Sequence, residues 1–158
     1  MRSLAPAFSL ILTAILPCGG CAEPPTSESE RAKLNGMWQV TSWERRGIEG
    51  DGEVGSRYEF FNDGTFQVTL TTGKASGRIP CDLDVSASPM HIDWPTVTII
   101  PGKSVTPGMI KAIYRVEGDR LMICKPLSQT LPRPAAFNTK GTDDVILLTL
   151  KRVRAETK

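Results

Sequence analysis

The sequence predicts an all-β protein, an antiparallel up-and-down barrel of about eight strands preceded by a short helix. Short β-rich segments recur between residues 37 and 153 and are separated by turn residues. No regular alternation of strands with helices accompanies them. Asn62-Asp63-Gly64, between two such segments, is a strong β-hairpin signal. A closed barrel removes exposed strand edges, whereas a two-sheet β-sandwich is the alternative.

The N-terminal half of the domain contains one strand, one loop and one hairpin. Residues 37–45 are rich in β-branched and aromatic side chains and predict the first strand. Residues 47–55 combine glycines with acidic residues and predict a mobile loop. Residues 57–61 and 65–70 then form the hairpin around Asn62-Asp63-Gly64.

The C-terminal half continues the same pattern. Residues 77–84 and 96–100 predict weaker strands, with a turn over residues 86–95 between them. Residues 110–124 predict a central hairpin that turns at Glu117-Gly118-Asp119. A long strand over residues 144–153 closes the domain.

The N-terminus resembles a bacterial export signal. Arg2 is followed by an apolar run, and Gly20-Cys21 resembles the processing site of a lipoprotein. A lipid on Cys21 would anchor the protein to a membrane of the cell envelope, and ordinary cleavage that releases a secreted protein is the alternative. The predicted division of the chain is a signal peptide (residues 1–20), a flexible tether (21–33), the barrel domain (34–154) and a tail (155–158), with two helical turns over residues 28–34.

Charge and cysteine content narrow the partners. The chain has 19 basic and 17 acidic residues without a basic cluster, so we expect no nucleic-acid partner. If Cys21 carries a lipid, Cys81 and Cys124 are the thiols of the domain. An oxidising compartment permits a disulfide between them, but these cysteines lie in strands that are not neighbours in an up-and-down barrel. A Cys81–Cys124 bond and two free thiols therefore stay as alternatives.

A series of residues along the domain resembles a family of uncharacterised lipocalin-like domains that is numerous in planctomycete bacteria. In order, the series is Leu34-Asn35-Gly36-Met37-Trp38, Arg57-Tyr58-Glu59-Phe60, Leu83-Asp84, Pro89, Ile92-Asp93, Ile113-Tyr114, Val116, Gly118-Asp119, Leu121, Cys124, Arg133-Pro134, Phe137 and Leu150-Lys151-Arg152. The resemblance covers nearly all of residues 34–153 and implies a calycin-type barrel. It implies no catalytic activity.

The resemblance also implies a structural signature at one end of the barrel. Gly36 and Trp38 on the first strand and Arg152 on the last look like the lipocalin signature, in which the arginine lies over the tryptophan ring. A guanidinium on an indole face contributes about 0.5–2 kcal/mol. We therefore expect Trp38 to be buried and Arg152 to contact it.

Catalytic and metal-binding patterns are missing from the sequence. His91 is the one histidine, whereas a metal site of histidines and carboxylates needs further imidazoles or thiolates at fixed spacing. No nucleophile elbow is present, and the acidic residues of 47–55 lack the spacing of a calcium loop. We expect a protein that is not an enzyme and needs no cofactor or metal.

Two functions then follow from the sequence. In the first, the barrel interior binds a small apolar or amphipathic ligand, with the loop of residues 47–55 near the opening and Arg133 as a polar contact at the rim. The side chains expected to line the interior are Tyr58, Phe60, Phe66, Val68, Tyr114 and Val116. In the second, the interior is filled and the outer surface binds another protein of the envelope.

Overall fold

The computed structural model describes residues 24–98 and 106–154. The elements are α1 (Ser27–Leu34), β1 (Gly36–Arg45), β2 (Ile48–Gly50), β3 (Arg57–Phe60), β4 (Thr65–Thr69), β5 (Ile79–Pro80), β6 (Asp82–Asp84), β7 (His91–Thr98), β8 (Thr106–Glu117), β9 (Arg120–Pro126) and β10 (Val145–Arg152). The predicted signal peptide, Cys21 and the C-terminal tail lie outside the described residues, as does the end of the strand predicted over residues 96–100.

The strands form one antiparallel sheet that curls into a nearly closed barrel, which confirms the predicted fold class and excludes the sandwich. Their order is β5-β4-β3-β1-β10-β9-β8-β7-β6, and β2 pairs with β1 outside this path. Residues 79–84 close the ring because β5 pairs with β4 and β6 pairs with β7. Counted as one bent strand, β5 and β6 give the barrel the eight strands that the sequence predicts.

Two strands, β2 and β7, differ most from the prediction. β2 lies within residues 47–55, where the sequence predicts only a loop. It pairs with β1 through a tight turn in which Arg46 and Gly47 both have positive φ, as a type I′ turn requires. β7 begins at His91, inside the predicted turn over residues 86–95. Pro95 conceals this strand in the sequence, because proline lacks the N–H that a strand ladder uses.

Helix α1 belongs to the folded domain, although most of its residues fall in the segment predicted to be a tether. Thr26 caps its N-terminus through a reciprocal hydrogen-bond pair with Ser29. Leu34, its last residue, is buried, and the Trp38 indole N–H donates to the Leu34 carbonyl oxygen at 2.7 Å. Among the described residues, no helix is long and apolar enough to cross a membrane.

The barrel has two different ends. One end carries α1, the β3–β4 turn and the β8–β9 turn, and we call it the closed end. The open end carries the loop of residues 51–56, the turn of residues 70–75 that follows β4, and the connection of residues 127–144. Strand direction fixes this division, because β1, β4 and β9 run from the closed end to the open end.

The side chains of the inner face form the main core, and a smaller cluster covers part of the outside. A β-bulge between Val40 and Ser42 shifts the alternation of β1, so that Val40 and Trp43 both pack toward the interior. On the outer face, Ile113 and Cys124 pack with Phe137 of the long connection. The members of the inner core that are fully or nearly buried are Leu34, Trp38, Val40, Tyr58, Phe60, Phe66, Cys81, Ile92, Ala112, Tyr114, Leu121, Ile123, Ile146, Leu148 and Leu150.

Candidate functional site

Arg152 and Trp38 hold the closed end together. The Arg152 guanidinium carbon lies 4.1 Å from the centroid of the fully buried Trp38 ring. The same guanidinium donates to the carbonyl oxygens of Lys33 and Asn35 at 2.5 and 2.7 Å, where the end of α1 leaves carbonyl groups without helical partners. Gly36 has a φ of 109°, and a Cβ there would lie 3.3 Å from Arg152 Nη1. The contact implied by the resemblance is therefore present, and its role is structural.

The six side chains expected to line the interior are brought together, and they pack against one another. Phe66 stacks on Tyr58 and on Phe60, with centroid distances of 6.1 and 5.5 Å, and Trp94 meets its edge at 5.6 Å. Tyr114 belongs to the same cluster and is fully buried, while Val68 and Val116 are partly buried against it. These residues form core in this structure, and the polar groups that lie above them are the candidate site.

At the open end, a lysine points into the barrel. Lys125 lies on β9 two residues after Ile123, whose side chain is in the inner core, and it pairs with Ile146 of the same core. Its Nζ is 2.5 Å from Oε1 of Glu53, and the Tyr58 hydroxyl donates to Oε2 of Glu53 at 2.6 Å. The side chains of Lys125 and Glu53 are only 17% and 24% exposed. We call Lys125, Glu53 and Tyr58 the polar cluster.

The electrostatics of the polar cluster depend on burial. Desolvation raises the pKa of Tyr58 well above its usual value of 10, and the charge and hydrogen bond of Glu53 raise it further. Tyr58 is therefore a neutral donor at neutral pH. The lysine and the carboxylate give up much of their hydration, which the ion pair and the phenol must offset. Replacing such a pair with apolar side chains is often neutral or stabilising, so the pair is not required simply to fill the barrel.

The loop that supplies Glu53 also covers a tryptophan. A Cβ at Gly52 of this loop would lie 2.7 Å from ring atoms of Trp43, and one at Gly50, the last residue of β2, would lie 2.9 Å from them, so the backbone rests directly on the indole. The loop is fixed at its far end, where the Gly55 N–H donates to the Val40 carbonyl oxygen at 2.9 Å. One short segment thus covers an apolar surface and delivers the counter-ion of Lys125.

Several exposed apolar side chains lie at this same end of the barrel. Strand direction places four large ones there, on β2, after β4, near the start of β8 and after β9. They are Ile48 (67% exposed), Leu70 (45%), Met109 (38%) and Leu127 (40%). Groups of exposed apolar residues mark binding surfaces more often than isolated ones do. We call these four residues the apolar rim.

Arg133 lies on the outer face of the barrel and does not face the interior. Its two terminal nitrogens bond both oxygens of Asp93, at 2.5 and 2.8 Å, and one also donates to the Ala112 carbonyl oxygen at 2.6 Å. Asp93 follows the inward-facing Ile92 and so faces outward. The guanidinium ties the long connection to β7 and β8. Near this connection, a groove of about 440 Å³ lies between Pro89, Tyr114 and Phe137.

The histidine and the two cysteines form no site with one another. His91 Nδ1 lies 3.6 Å from Oδ2 of Asp84 at the start of β7. Cys81 and Cys124 are both buried free thiols, and they belong to the inner and the outer cluster respectively. Burial raises the pKa of both thiols, that of Cys124 to about 11, which disfavours the reactive thiolate. No group of three or more metal-binding side chains occurs in residues 24–98 and 106–154.

Sequence reasoning predicted one member of the polar cluster, Tyr58, and missed the other two. The alternation of Leu121 and Ile123 extends to Lys125 and could have indicated an inward lysine. Nothing local indicates that Glu53 reaches it, because 72 positions separate them in sequence. No family model, curated protein or solved structure matches the chain.

Proposed function

We propose that this protein is a non-enzymatic binding module that holds a small amphipathic ligand at the open end of its barrel. The observation that carries the proposal is the polar cluster, a charge pair held inside the barrel directly above an aromatic core. Ligand sites are usually apolar surfaces with a few well-placed polar groups, and the ends of barrels are frequent positions for them. Trp43 and the apolar rim supply the apolar part.

The proposed setting is the cell envelope. The export signal of residues 1–20 and the lipoprotein-like Gly20-Cys21 support a lipid-anchored protein, with secretion as a soluble domain as the alternative. The packing of Arg152 on Trp38 supports an assignment to the lipocalin-like family that the sequence resembles. Both proposals leave the location of the ligand site unchanged.

Titration with a neutral naphthylamine dye, whose emission rises in apolar surroundings, tests the proposed function. We expect saturable binding of one dye per protein, and Trp43→Ala should weaken it about tenfold because the apolar surface under the loop is lost. Phe61→Ala is the matched control, since Phe61 lies at the closed end of the barrel, where Arg78 covers its ring. Dye binding that does not saturate, or that both variants weaken equally, would contradict a site at the open end.

A second function is favoured by the packing of the interior. Because Tyr58, Phe60 and Phe66 stack on one another, the barrel is stable as a filled scaffold, and the apolar rim could contact another envelope protein. This interaction module would bind no dye. It would show loss of partner binding when Ile48→Ser removes the most exposed member of the rim.

A further inference from the structure

The polar cluster has the geometry of an occupied carboxylate receptor. Resting on the proposed function, we propose that the ligand is an amphipathic carboxylate bound by Lys125 and Tyr58, and that Glu53 fills this receptor in the ligand-free protein. Lys125 and Tyr58 come from β9 and β3, so both donors project from the wall of the barrel. The carboxylate comes from the loop of residues 51–56.

The two donors define the chemistry of the ligand. Each oxygen of Glu53 receives one donor, the ammonium at 2.5 Å and the phenol at 2.6 Å. A ligand carboxylate in the same position would accept the same two charge-assisted hydrogen bonds. A neutral head group would leave the partly buried Lys125 without a counter-ion, which carries a large penalty. The receptor therefore selects an anion.

Displacement of Glu53 creates the apolar half of the site as well. Gly52 of this loop rests on the Trp43 ring, so a loop movement that withdraws Glu53 also uncovers part of the indole. The cation and the apolar surface then become available together. An amphipathic carboxylate matches both, whereas a small hydrophilic anion gains nothing from Trp43.

Two dyes that differ only in the head group test this inference, a dansyl-labelled undecanoic acid and the corresponding dansyl-labelled undecanol. In Glu53→Gln, the side-chain amide still offers Tyr58 an acceptor, but the negative charge that competes with the ligand is gone. We expect the acid to bind Glu53→Gln about tenfold more tightly than wild type, while the affinity for the alcohol stays the same. Glu49→Gln is the matched control, because Glu49 is an exposed carboxylate of the neighbouring β2.

Variants of Lys125 supply the second measurement. Lys125→Gln should abolish the preference for the acid over the alcohol, and Lys125→Arg should retain it because the charge remains. Thermal unfolding identifies any variant that is not folded. Equal affinities of wild type and Glu53→Gln for the acid, with saturable binding of both dyes, would overturn the carboxylate receptor and leave the amphipathic site standing. Binding of neither dye to any variant would overturn the proposed function itself.

Discussion

At the scale of single residues, the interior contains polar atoms without partners. The Tyr114 hydroxyl and Oε2 of Glu30 are buried and accept or donate no hydrogen bond within residues 24–98 and 106–154. Burial raises the pKa of Tyr114, and the nearby charge of Glu30 raises it further. Both groups lie toward the closed end, Glu30 on α1 and Tyr114 near the end of β8. An unsatisfied buried hydroxyl costs stability, whereas a satisfied one contributes to it.

Tyr114→Phe should therefore stabilise the protein. We expect the free energy of unfolding in urea to rise by about 1 kcal/mol, because the variant removes only the unpartnered hydroxyl. Tyr58→Phe is the matched control, since its hydroxyl donates to Glu53, and it should lower the same quantity by about 1 kcal/mol. A destabilised Tyr114→Phe would mean that the hydroxyl binds a partner such as a buried water.

The residue scale also shows where sequence reasoning stops. The alternation of apolar residues placed Tyr58, Phe60 and Phe66 on one inner face, because period-two patterns are local. It did not place Arg133, whose partner Asp93 lies 40 positions earlier in the chain. The side chains of the polar cluster likewise meet only after the barrel has closed. The packing pattern of the core is thus local in sequence, whereas the pairs of Lys125 with Glu53 and of Arg133 with Asp93 are long-range.

At the scale of elements, turns were predicted better than strand ends. Asn62-Asp63-Gly64 and Glu117-Gly118-Asp119 fix their hairpins because the glycines adopt positive φ, 79° at Gly64 and 58° at Gly118. The turn before β2 has Gly47 at positive φ, but Arg46 stands where Asn or Asp marks a type I′ turn, and the start of β7 has no turn glycine and forms by pairing with β6 and β8. Strand ends therefore depend on tertiary partners, which the local sequence does not specify.

The loop that covers Trp43 can be tested as an element. Gly52→Ala should force the loop away from the indole, since the new Cβ would lie 2.7 Å from ring atoms. We expect a loss of about 1–3 kcal/mol in unfolding free energy and a red shift of tryptophan emission in the folded protein. Gly77→Ala is the matched control, because no atom lies within 4 Å of its Cβ position and its φ is not positive.

An unchanged emission spectrum in Gly52→Ala would contradict the covering role of the loop. The same variant connects the element to the ligand site, because a displaced loop also withdraws Glu53 from Lys125. If the loop competes with the ligand, the loss of stability in Gly52→Ala should accompany tighter binding of the dansyl-labelled acid. Gly52 and Glu53 would then act as parts of one movable cover.

At the scale of the whole molecule, the sheet separates two environments. The inner face is aromatic at the closed end and ionic at the open end, with Arg152 fixing the former and Lys125 defining the latter. The outer face is covered in part by the connection of residues 127–144, which packs Phe137 onto Ile113 and Cys124. Cys81 and Cys124 lie on opposite faces of this sheet, and for this reason the two buried thiols do not form a disulfide.

The burial of Cys124 gives the whole fold a predictable response to alkaline pH. Burial raises the pKa of its thiol from 9.0 to about 11. Between these values the unfolded chain releases the proton and the folded chain keeps it, so the unfolded state binds fewer protons and stability falls as pH rises. Below pH 9 the thiol is protonated in both states and this contribution to stability is fully present. Urea unfolding at several pH values between 9 and 11 measures the slope.

Cys124→Ala should make that slope less steep by about 1.4 kcal/mol per pH unit, the value for one proton. Its stability at neutral pH is also expected to fall, because the outer cluster loses a buried side chain, but only the slope bears on the prediction. Cys81→Ala serves as the comparison that leaves the contribution of Cys124 intact. Equal slopes for wild type and Cys124→Ala would show that the Cys124 thiol ionises in the folded protein as easily as in the unfolded chain.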